Sequence, residues 1–318
     1  MHPAKAWREI KTADILAARS TKEPVDASRP YAFFVEQECG PDGTVESVAT
    51  IFLTNRECPF RCLMCDLWRH TTDRRVAVGA IPGQIEWALE RLPAAQHVKL
   101  YNSGNFFDPQ AIPPADHAAI ARLVSGFRTV IVENHPRLCG DACRSFAQLL
   151  PADCQLEIAL GLETVHPEAL AVLNKRMTTA DFASAAARLR SWGIELRTFV
   201  LLKPPLLDER EGVEWALQSV RFAWQCGVRV VAVIPTRATS GVLQNQQQQG
   251  LFEPPTLASL EEVLERGLAG QQGRLMVDLW DAQQLIACVK CRDERLSRLQ
   301  RMNKTQKLEG AILCKCKA

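Results

Sequence analysis

The 318-residue sequence has no apolar run near the roughly 18 residues that a membrane-spanning helix needs. Its first eight residues, 1–8, also lack the apolar core of a secretory signal peptide. These absences predict a cytoplasmic protein with no membrane partner. Because disulfides are rare in that compartment, the 12 cysteines are expected to bind metal or to remain free thiols.

Two nucleotide-binding motifs are absent as well. The chain contains neither G-x-G-x-x-G nor G-x-x-x-x-G-K-[ST], which argues against a nucleotide-dependent dehydrogenase and a P-loop enzyme. The net charge of +2 points to no particular partner. The charge is unevenly distributed, however. Residues 290–317 contain nine Lys and Arg residues and three acidic residues.

Three cysteines, Cys58, Cys62 and Cys65, follow the strand-like segment 48–54. Tetrahedral zinc takes four ligands, and this loop offers three. A cubane [4Fe–4S] cluster can be held by three thiolates, which leaves its fourth iron open to an exogenous ligand. The loop therefore predicts such a cluster. A partial zinc site, or three unrelated buried cysteines, is the alternative.

Six short segments rich in Val, Ile, Leu and Phe alternate with segments of helical spacing. Such alternation predicts a parallel sheet with right-handed crossovers, either doubly wound or a full or partial barrel. Polar residues follow nearly every strand, which favours a barrel, because the carboxyl ends of barrel strands carry the chemistry. The predicted strands are 48–54, 97–101, 129–133, 156–162, 195–202 and 228–234.

The Cys-x3-Cys-x2-Cys loop resembles the signature of the radical S-adenosylmethionine (radical SAM) enzymes, although Met64 takes a position that is commonly aromatic there. The resemblance implies that the open iron binds S-adenosylmethionine (SAM) and that an electron donor drives formation of a 5′-deoxyadenosyl radical. It also implies a partial (β/α)6 barrel of TIM type, and the six predicted strands agree with that number.

The predicted organisation is therefore of the α/β class. Residues 1–45 form an N-terminal extension, residues 46–272 the radical SAM partial barrel, and residues 273–318 a basic, Cys-rich, metal-binding C-terminal extension. The Gln-rich stretch 244–249 is expected to be an exposed loop.

The resemblance assigns cofactor-binding roles to residues that follow predicted strands. The turn Asn102-Ser103-Gly104 stands where radical SAM enzymes carry a Gly-Gly-Glu-like turn, but it lacks the acidic residue. Glu163 and Arg176 lie in a stretch similar to the Elongator-like branch of the class. Glu163 is expected to hold the ribose or the methionine end of the cofactor, and Arg176 is expected to pair with its carboxylate. Lys203 is a further candidate.

Four segments, 58–68, 101–109, 132–137 and 161–164, resemble the radical SAM subunit of archaeosine synthase and its relatives. Those relatives cleave a carbon–nitrogen bond in a lysine-bearing 7-deazaguanine of tRNA, so the resemblance implies tRNA as substrate and leaves a partner subunit open. Glu133, His135 and Arg137 are the candidate catalytic residues, expected at the barrel mouth in contact with a polar substrate.

Cys288, Cys291, Cys314 and Cys316 form a second set of thiols, sufficient for zinc or for an auxiliary [4Fe–4S] cluster. A metal there would clamp the basic segment, which could then contact a phosphate backbone; a solvated charged tail is the alternative. Two other functions stay open. One is a radical SAM enzyme acting on a free small molecule or peptide, and the other is a non-enzymatic, zinc-stabilised adaptor that binds nucleic acid.

Overall fold

A computed structural model describes residue 7, residues 10–270, residues 272–314 and residue 316. Its strands form a single sheet in chain order, in which β1 pairs antiparallel with β2 and every later neighbour pairs in parallel. The strands are β1 Ala32–Cys39, β2 Val45–Phe52, β3 His97–Tyr101, β4 Thr129–Asn134, β5 Gln155–Glu163, β6 Glu195–Leu202, β7 Val230–Pro235 and β8 Arg274–Val277.

Helices connect the parallel strands and pack on one face of the sheet. Among the described residues they are α1 Thr12–Ala17, α2 Ala80–Leu89, α3 His117–Leu123, α4 Asp141–Ala147, α5 Pro167–Val172, α6 Thr179–Ser191, α7 Glu209–Gln225, α8 Gly241–Gln248, α9 Leu257–Ala269 and α10 Arg292–Thr305. Short 3-10 turns lie at Leu67–His70, Pro114–Asp116, Pro136–Leu138 and Ala282–Leu285.

The main core lies between this helical layer and alternate residues of the strands. Val98 and Leu100 of β3 are fully buried in it, and α7 contributes Val213 and Leu217 at the predicted helical spacing. Asp208 caps α7, since its carboxylate accepts a hydrogen bond from the backbone N–H of Glu211 at 2.8 Å.

The partial barrel predicted from the sequence is confirmed, with the six predicted strands corresponding to β2–β7. The sheet is longer than predicted, because β1 joins before β2 and β8 joins after β7. β1 lies within the predicted extension 1–45 and β8 within the predicted extension 273–318, so the sheet continues across both predicted boundaries.

Buried ion pairs cross the concave face of the curled sheet. The Arg197 guanidinium of β6 donates to both carboxylate oxygens of Glu38 in β1, at 3.0 and 2.8 Å, and to Glu157 at 2.6 Å. Lys99 also pairs with Glu38. Burial raises the pKa of Glu38, but Arg197 and Lys99 outweigh it and hold the pKa well below its usual range. These paired charges fix β1 across the barrel from β6.

Helix α10 covers the free edge of β8. Asn303 accepts from the backbone N–H of Val277 at 2.9 Å and donates to its carbonyl at 2.8 Å. Gln306 makes the equivalent pair with Leu275 at 2.8 and 2.9 Å. These side-chain amides take the hydrogen bonds that another strand would make, which protects an otherwise open edge. The C-terminal helix is therefore part of the barrel.

A second apolar cluster joins the N-terminal segment to α8 over the cysteine loop. Leu63 of the loop is fully buried there, with Trp7, Ile15 and Leu243 around it. The prediction of a loop over 244–249 is wrong, because α8 runs to Gln248. Ser240 caps this helix at 3.3 Å from the Leu243 nitrogen, and its apolar first turn buries against the cluster.

Gly241 allows α8 to contact the end of α1. A Cβ atom at this position would lie 1.8 Å from the carbonyl oxygen of Ala18. We expect Gly241→Ala to reduce the free energy of unfolding by about 1–3 kcal/mol, the range for overpacked sites, as measured by urea denaturation. Gly83→Ala is the matched control, because α2 leaves open space there and alanine favours helix. Equal effects of the two substitutions would show that the close approach of α8 to α1 does not depend on Gly241.

Candidate active site

The cysteine loop follows β2 at the carboxyl edge of the sheet, and the segment after α5 holds it in place. The backbone N–H of Leu63 donates to the Leu173 carbonyl at 2.9 Å. The Asn174 side chain donates to the Arg61 carbonyl at 2.6 Å. Phe60 stacks on the ring of His135, with 3.8 Å between ring centroids. The segment after α5 and the end of β4 thus fix the conformation of the loop.

The three loop thiols are buried enough to disfavour their ionised form. Burial raises the pKa of Cys58, and it raises the pKa of Cys62 to about 11 although the Lys175 charge acts in the opposite direction. Burial and the neighbouring Cys62 raise the pKa of Cys65 above its usual range. Thiolates at this site therefore need a cation, which is what the irons of a cluster supply.

The turn after β3 packs directly on Cys58. A Cβ atom on Gly104 would lie 3.3 Å from the Cys58 Cβ, so the turn approaches as closely as glycine permits. The acidic residue that the turn lacks comes from β4 instead. The Glu133 carboxylate accepts from the backbone N–H groups of Asn102 at 2.6 Å and Gly104 at 3.2 Å. Burial raises the pKa of Glu133 more than these amides lower it.

Asn102 is fully buried, and neither its side-chain oxygen nor its nitrogen has a hydrogen-bond partner among the described residues. Buried amides are normally paired, so an unpaired one is expected to meet a ligand or an ordered water. A buried, unpaired amide in the turn that packs on Cys58 fits the amino acid end of SAM and an open-iron cluster.

His135 and Arg137 make mainly backbone contacts. The Nε2 atom of His135 lies 2.9 Å from the Lys175 carbonyl, and its Nδ1 accepts from the Arg137 backbone N–H at 3.2 Å. Burial, followed by the Lys175 charge, lowers the pKa of His135 to about 4, so the ring is neutral near pH 7. Arg137 is exposed and donates to the Arg176 carbonyl at 3.2 Å. This geometry favours a positioning role for His135.

Glu163 is buried against Lys175, a residue that sequence reasoning missed. The two charged atoms lie 2.5 Å apart, and both side chains are less than one-tenth exposed. Burial lowers the pKa of Lys175, but the charges of Glu163 and Cys62 raise it above the ordinary value. The pair therefore places a fixed cation beside the loop thiols.

The other predicted cofactor residues lie differently. Arg176 is exposed and donates to the Thr12 hydroxyl at 3.2 Å, so it contacts α1 rather than a strand end. Lys203 follows β6 and pairs with Glu209 at 2.7 Å. Ser103, Glu163, Arg176 and Lys203 all have positive φ, among eight such non-glycine residues in the described part of the chain. Backbone strain of this kind clusters at functional sites.

The buried pair supports a direct stability test. We expect Lys175→Met to reduce the free energy of unfolding by about 3–5 kcal/mol, because it leaves the Glu163 charge buried without a partner. Adding Glu163→Gln should restore part of the loss, since the unpaired charge is then removed. Chemical denaturation of the two single variants and of the double variant checks this. A double variant as unstable as the sum of the two single variants would show that the pair does not interact.

The four C-terminal thiols come together as predicted. Their sulfur atoms all lie within 4.8 Å of one another, with Cys288 and Cys314 at 3.9 Å and Cys291 and Cys316 at 3.5 Å. Backbone N–H groups of Cys291 and Lys290 lower the pKa of Cys288 to about 6. A single tetrahedral ion with metal–sulfur bonds of about 2.3 Å would separate its sulfurs by about 3.8 Å. The geometry therefore suits one metal ion.

Much of the positive charge in the tail is neutralised within the protein. Arg295 and Arg298 are buried against α9, where they pair with Glu261 at 2.5 Å and Glu265 at 2.7 Å. Arg301 pairs with Glu309 at 2.7 Å. Lys315 and Lys317 lie outside the described residues. Fewer cations than the sequence suggested are thus available for phosphate groups.

The sequence of the chain is similar to the sequences of several known proteins. No protein-family model matches the chain. An uncharacterised protein of Methanocaldococcus jannaschii is 23% identical over 92% of this chain and 86% of its own length. Archaeosine synthase subunit beta of Thermococcus kodakarensis is 29% identical over 64% of this chain. The same subunit of Methanosarcina acetivorans is 27% identical over 65%. The alignments span 65% and 62% of the two archaeosine synthase subunits.

Two solved structures share the fold. Streptococcus suis SuiB aligns with a TM-score of 0.53 and 12% identity, over 73% of this chain and 48% of SuiB. Methanocaldococcus infernus Elp3 aligns with a TM-score of 0.51 and 13% identity, over 69% of this chain and 58% of that one.

The partial barrel and these relatives define an enzyme of the radical SAM class. Its sequence is similar to that of archaeosine synthase subunit beta, and its fold is similar to those of SuiB and Elp3. This assignment favours the enzyme hypotheses over the non-enzymatic adaptor. No helix in the part of the chain that the structure covers is long and apolar enough to cross a membrane.

Proposed function

We propose that Cys58, Cys62 and Cys65 bind a [4Fe–4S] cluster, and that SAM binds its open iron. With SAM bound, such a cluster supplies a 5′-deoxyadenosyl radical that abstracts a hydrogen atom from the substrate. The observation that carries the proposal is the placement of three half-buried thiols on one loop at the carboxyl edge of the barrel, against a turn whose buried Asn102 amide has no partner among the described residues.

The chain's own residues would hold and shield this cofactor pair. Asn102 and the backbone of Ser103 and Gly104 would contact the methionine end of SAM, and Glu133 would hold the turn through its hydrogen bonds to the backbone. The Lys175 cation stabilises the negative charge of the ligating thiolates. The apolar cluster around Leu63 shields one side of the loop from water, which would protect a radical from side reactions.

We propose a 7-deazaguanine base of tRNA as the substrate, modified by cleavage of a carbon–nitrogen bond. Sequence similarity to archaeosine synthase subunit beta over about two-thirds of the chain supports this proposal. Glu133 and Arg137 stay the candidate catalytic residues in contact with the substrate. His135, the third candidate, takes the positioning role that its backbone contacts favour. The name of the relatives also supports a partner subunit, and the reaction requires an electron donor.

Anaerobic turnover tests this proposal. The reconstituted enzyme is incubated with SAM, dithionite and tRNA that carries the lysine-bearing base, and the nucleosides are analysed by mass spectrometry. We expect archaeosine and 5′-deoxyadenosine to form together, and the same tRNA with an unmodified guanine to give no product. Formation of 5′-deoxyadenosine without any change in tRNA would contradict the tRNA substrate and favour a free small molecule or peptide as substrate.

We also propose that the C-terminal thiols bind one zinc ion rather than an auxiliary cluster. Sulfur–sulfur distances of 3.5 and 3.9 Å match a single tetrahedral ion. A cubane would hold its four thiolates further apart, because each thiolate binds a different iron. Zinc analysis of protein from which the loop cysteines have been removed tests this: one zinc ion per chain is expected, and iron with sulfide in its place would contradict it.

A further inference from the structure

Asn105 lies in the turn after β3, and its side chain contacts a sulfur of the cysteine loop. Its Nδ2 donates to the Cys58 Sγ at 3.1 Å, and its Oδ1 accepts from the backbone N–H of His135 at 2.7 Å. The side chain is 2% exposed, so water does not compete for either contact. The amide is therefore held at both ends.

These contacts fix the orientation of the amide. The backbone N–H of His135 can only donate, so the Asn105 oxygen must face it. The nitrogen then has to face the sulfur, to which it presents an N–H. His135 is itself held by stacking on Phe60 and by its contact with the Lys175 carbonyl. The donor thus rests on a rigid support formed by the end of β4.

The loop sulfurs differ in their surroundings. Cys58 receives the Asn105 amide and the backbone N–H of Phe60. Cys62 faces the Lys175 charge, and Cys65 has a backbone N–H from Leu67. Within the described part of the chain, Asn105 is the side-chain amide that donates to a loop sulfur. The three iron–thiolate bonds of a cluster at this site would therefore be unequal.

We infer that Asn105 is a positioning residue that sets the reduction potential of the cluster, an inference that rests on the proposed function. Reduction adds negative charge that spreads onto the ligating sulfurs. A hydrogen bond to a ligating sulfur stabilises this charge, so it raises the reduction potential. Because the donor is buried and cannot turn away, its effect is not diluted by exchange with solvent.

Redox titration of the reconstituted cluster, followed by electron paramagnetic resonance (EPR), tests the inference. Asn105→Ala removes the donor and should shift the midpoint potential to more negative values. Asn105→Asp keeps the acceptor for the His135 N–H but places an oxygen against the sulfur. Its shift should be in the same direction and larger. The readout is the potential itself, which a role confined to folding would leave unchanged.

Asn134→Ala is the matched control. Asn134 is 3% exposed, accepts from the Phe107 backbone N–H at 3.2 Å and donates to the Cys139 sulfur at 3.4 Å. It therefore makes the same pair of contacts with a cysteine outside the loop. We expect this variant to keep the wild-type potential.

Three results would overturn the inference. The first is a wild-type potential in cluster-loaded Asn105→Ala, and the second is an equal shift of the potential in Asn105→Ala and Asn134→Ala. The third is loss of the cluster from both Asn105 variants while Asn134→Ala retains it. The last result would mean that Asn105 retains the cluster rather than tunes it. Failure of the proposed function looks different, because wild-type protein would then contain no iron–sulfur cluster to titrate.

Discussion

Cys62→Ala is expected to reduce 5′-deoxyadenosine formation to the background level. Two thiolates would remain for a cluster that needs three protein ligands, and Cys62 is also the thiol that faces the Lys175 charge. The measurement is 5′-deoxyadenosine produced from SAM and dithionite under anaerobic conditions, with iron and sulfide content determined on the same sample.

Cys226→Ala is the control for this experiment. Cys226 is a half-buried free thiol that ends α7, far along the chain from the loop. Its substitution removes a sulfur without touching the proposed ligand set, so iron content and turnover should stay at wild-type values. Turnover retained in Cys62→Ala would exclude the loop as the site of the cluster.

Cys291→Ala is expected to abolish binding of the proposed C-terminal zinc ion and to lower the melting temperature of the protein. Cys291 is the residue from which α10 begins, and Arg295, one turn later, pairs with Glu261 of α9. Helix α10 in turn supplies the Asn303 and Gln306 amides that cover the edge of β8. Removing one ligand should therefore loosen the helix and expose the sheet edge.

Zinc content and thermal unfolding measure this effect. We expect loss of one zinc ion per chain, a lower melting temperature and greater aggregation on heating, because an open strand edge can pair with another chain. Treating the wild-type protein with a zinc chelator should reproduce the change, and Cys226→Ala should not. An unchanged melting temperature after complete loss of zinc would show that the metal does not hold α10 in place.

The barrel could be predicted from sequence because its strands are short, apolar and buried on both faces, with polar residues at their carboxyl ends. The approach of the four C-terminal thiols could be predicted because two closely spaced cysteine pairs are a common pattern for one shared ion. β1 escaped prediction for a physical reason. It is an antiparallel strand at the end of the sheet, and its Glu36 and Glu38 pair with Lys99 and Arg197 of the interior.

The contacts that sequence reasoning did not predict depend on which strands and loops lie side by side. Glu133 supplies the acidic group of a turn that belongs to a different strand, and only the pairing of β3 with β4 brings them together. Lys175 would be solvated in most loops, and its burial follows from the position of Glu163. The sequence suggested a cationic surface that includes Arg295 and Arg298. Their partners Glu261 and Glu265 lie more than 30 residues earlier in the chain, so only the fold shows that these charges are paired.

EPR of the reduced protein, recorded with and without SAM, tests the central claim most directly. If one iron lacks a protein ligand, SAM binds that iron, and the spectrum of the [4Fe–4S] cluster should change on its addition. A cluster whose spectrum is identical with and without saturating SAM, or a reduced protein with no cluster signal at all, would contradict the account.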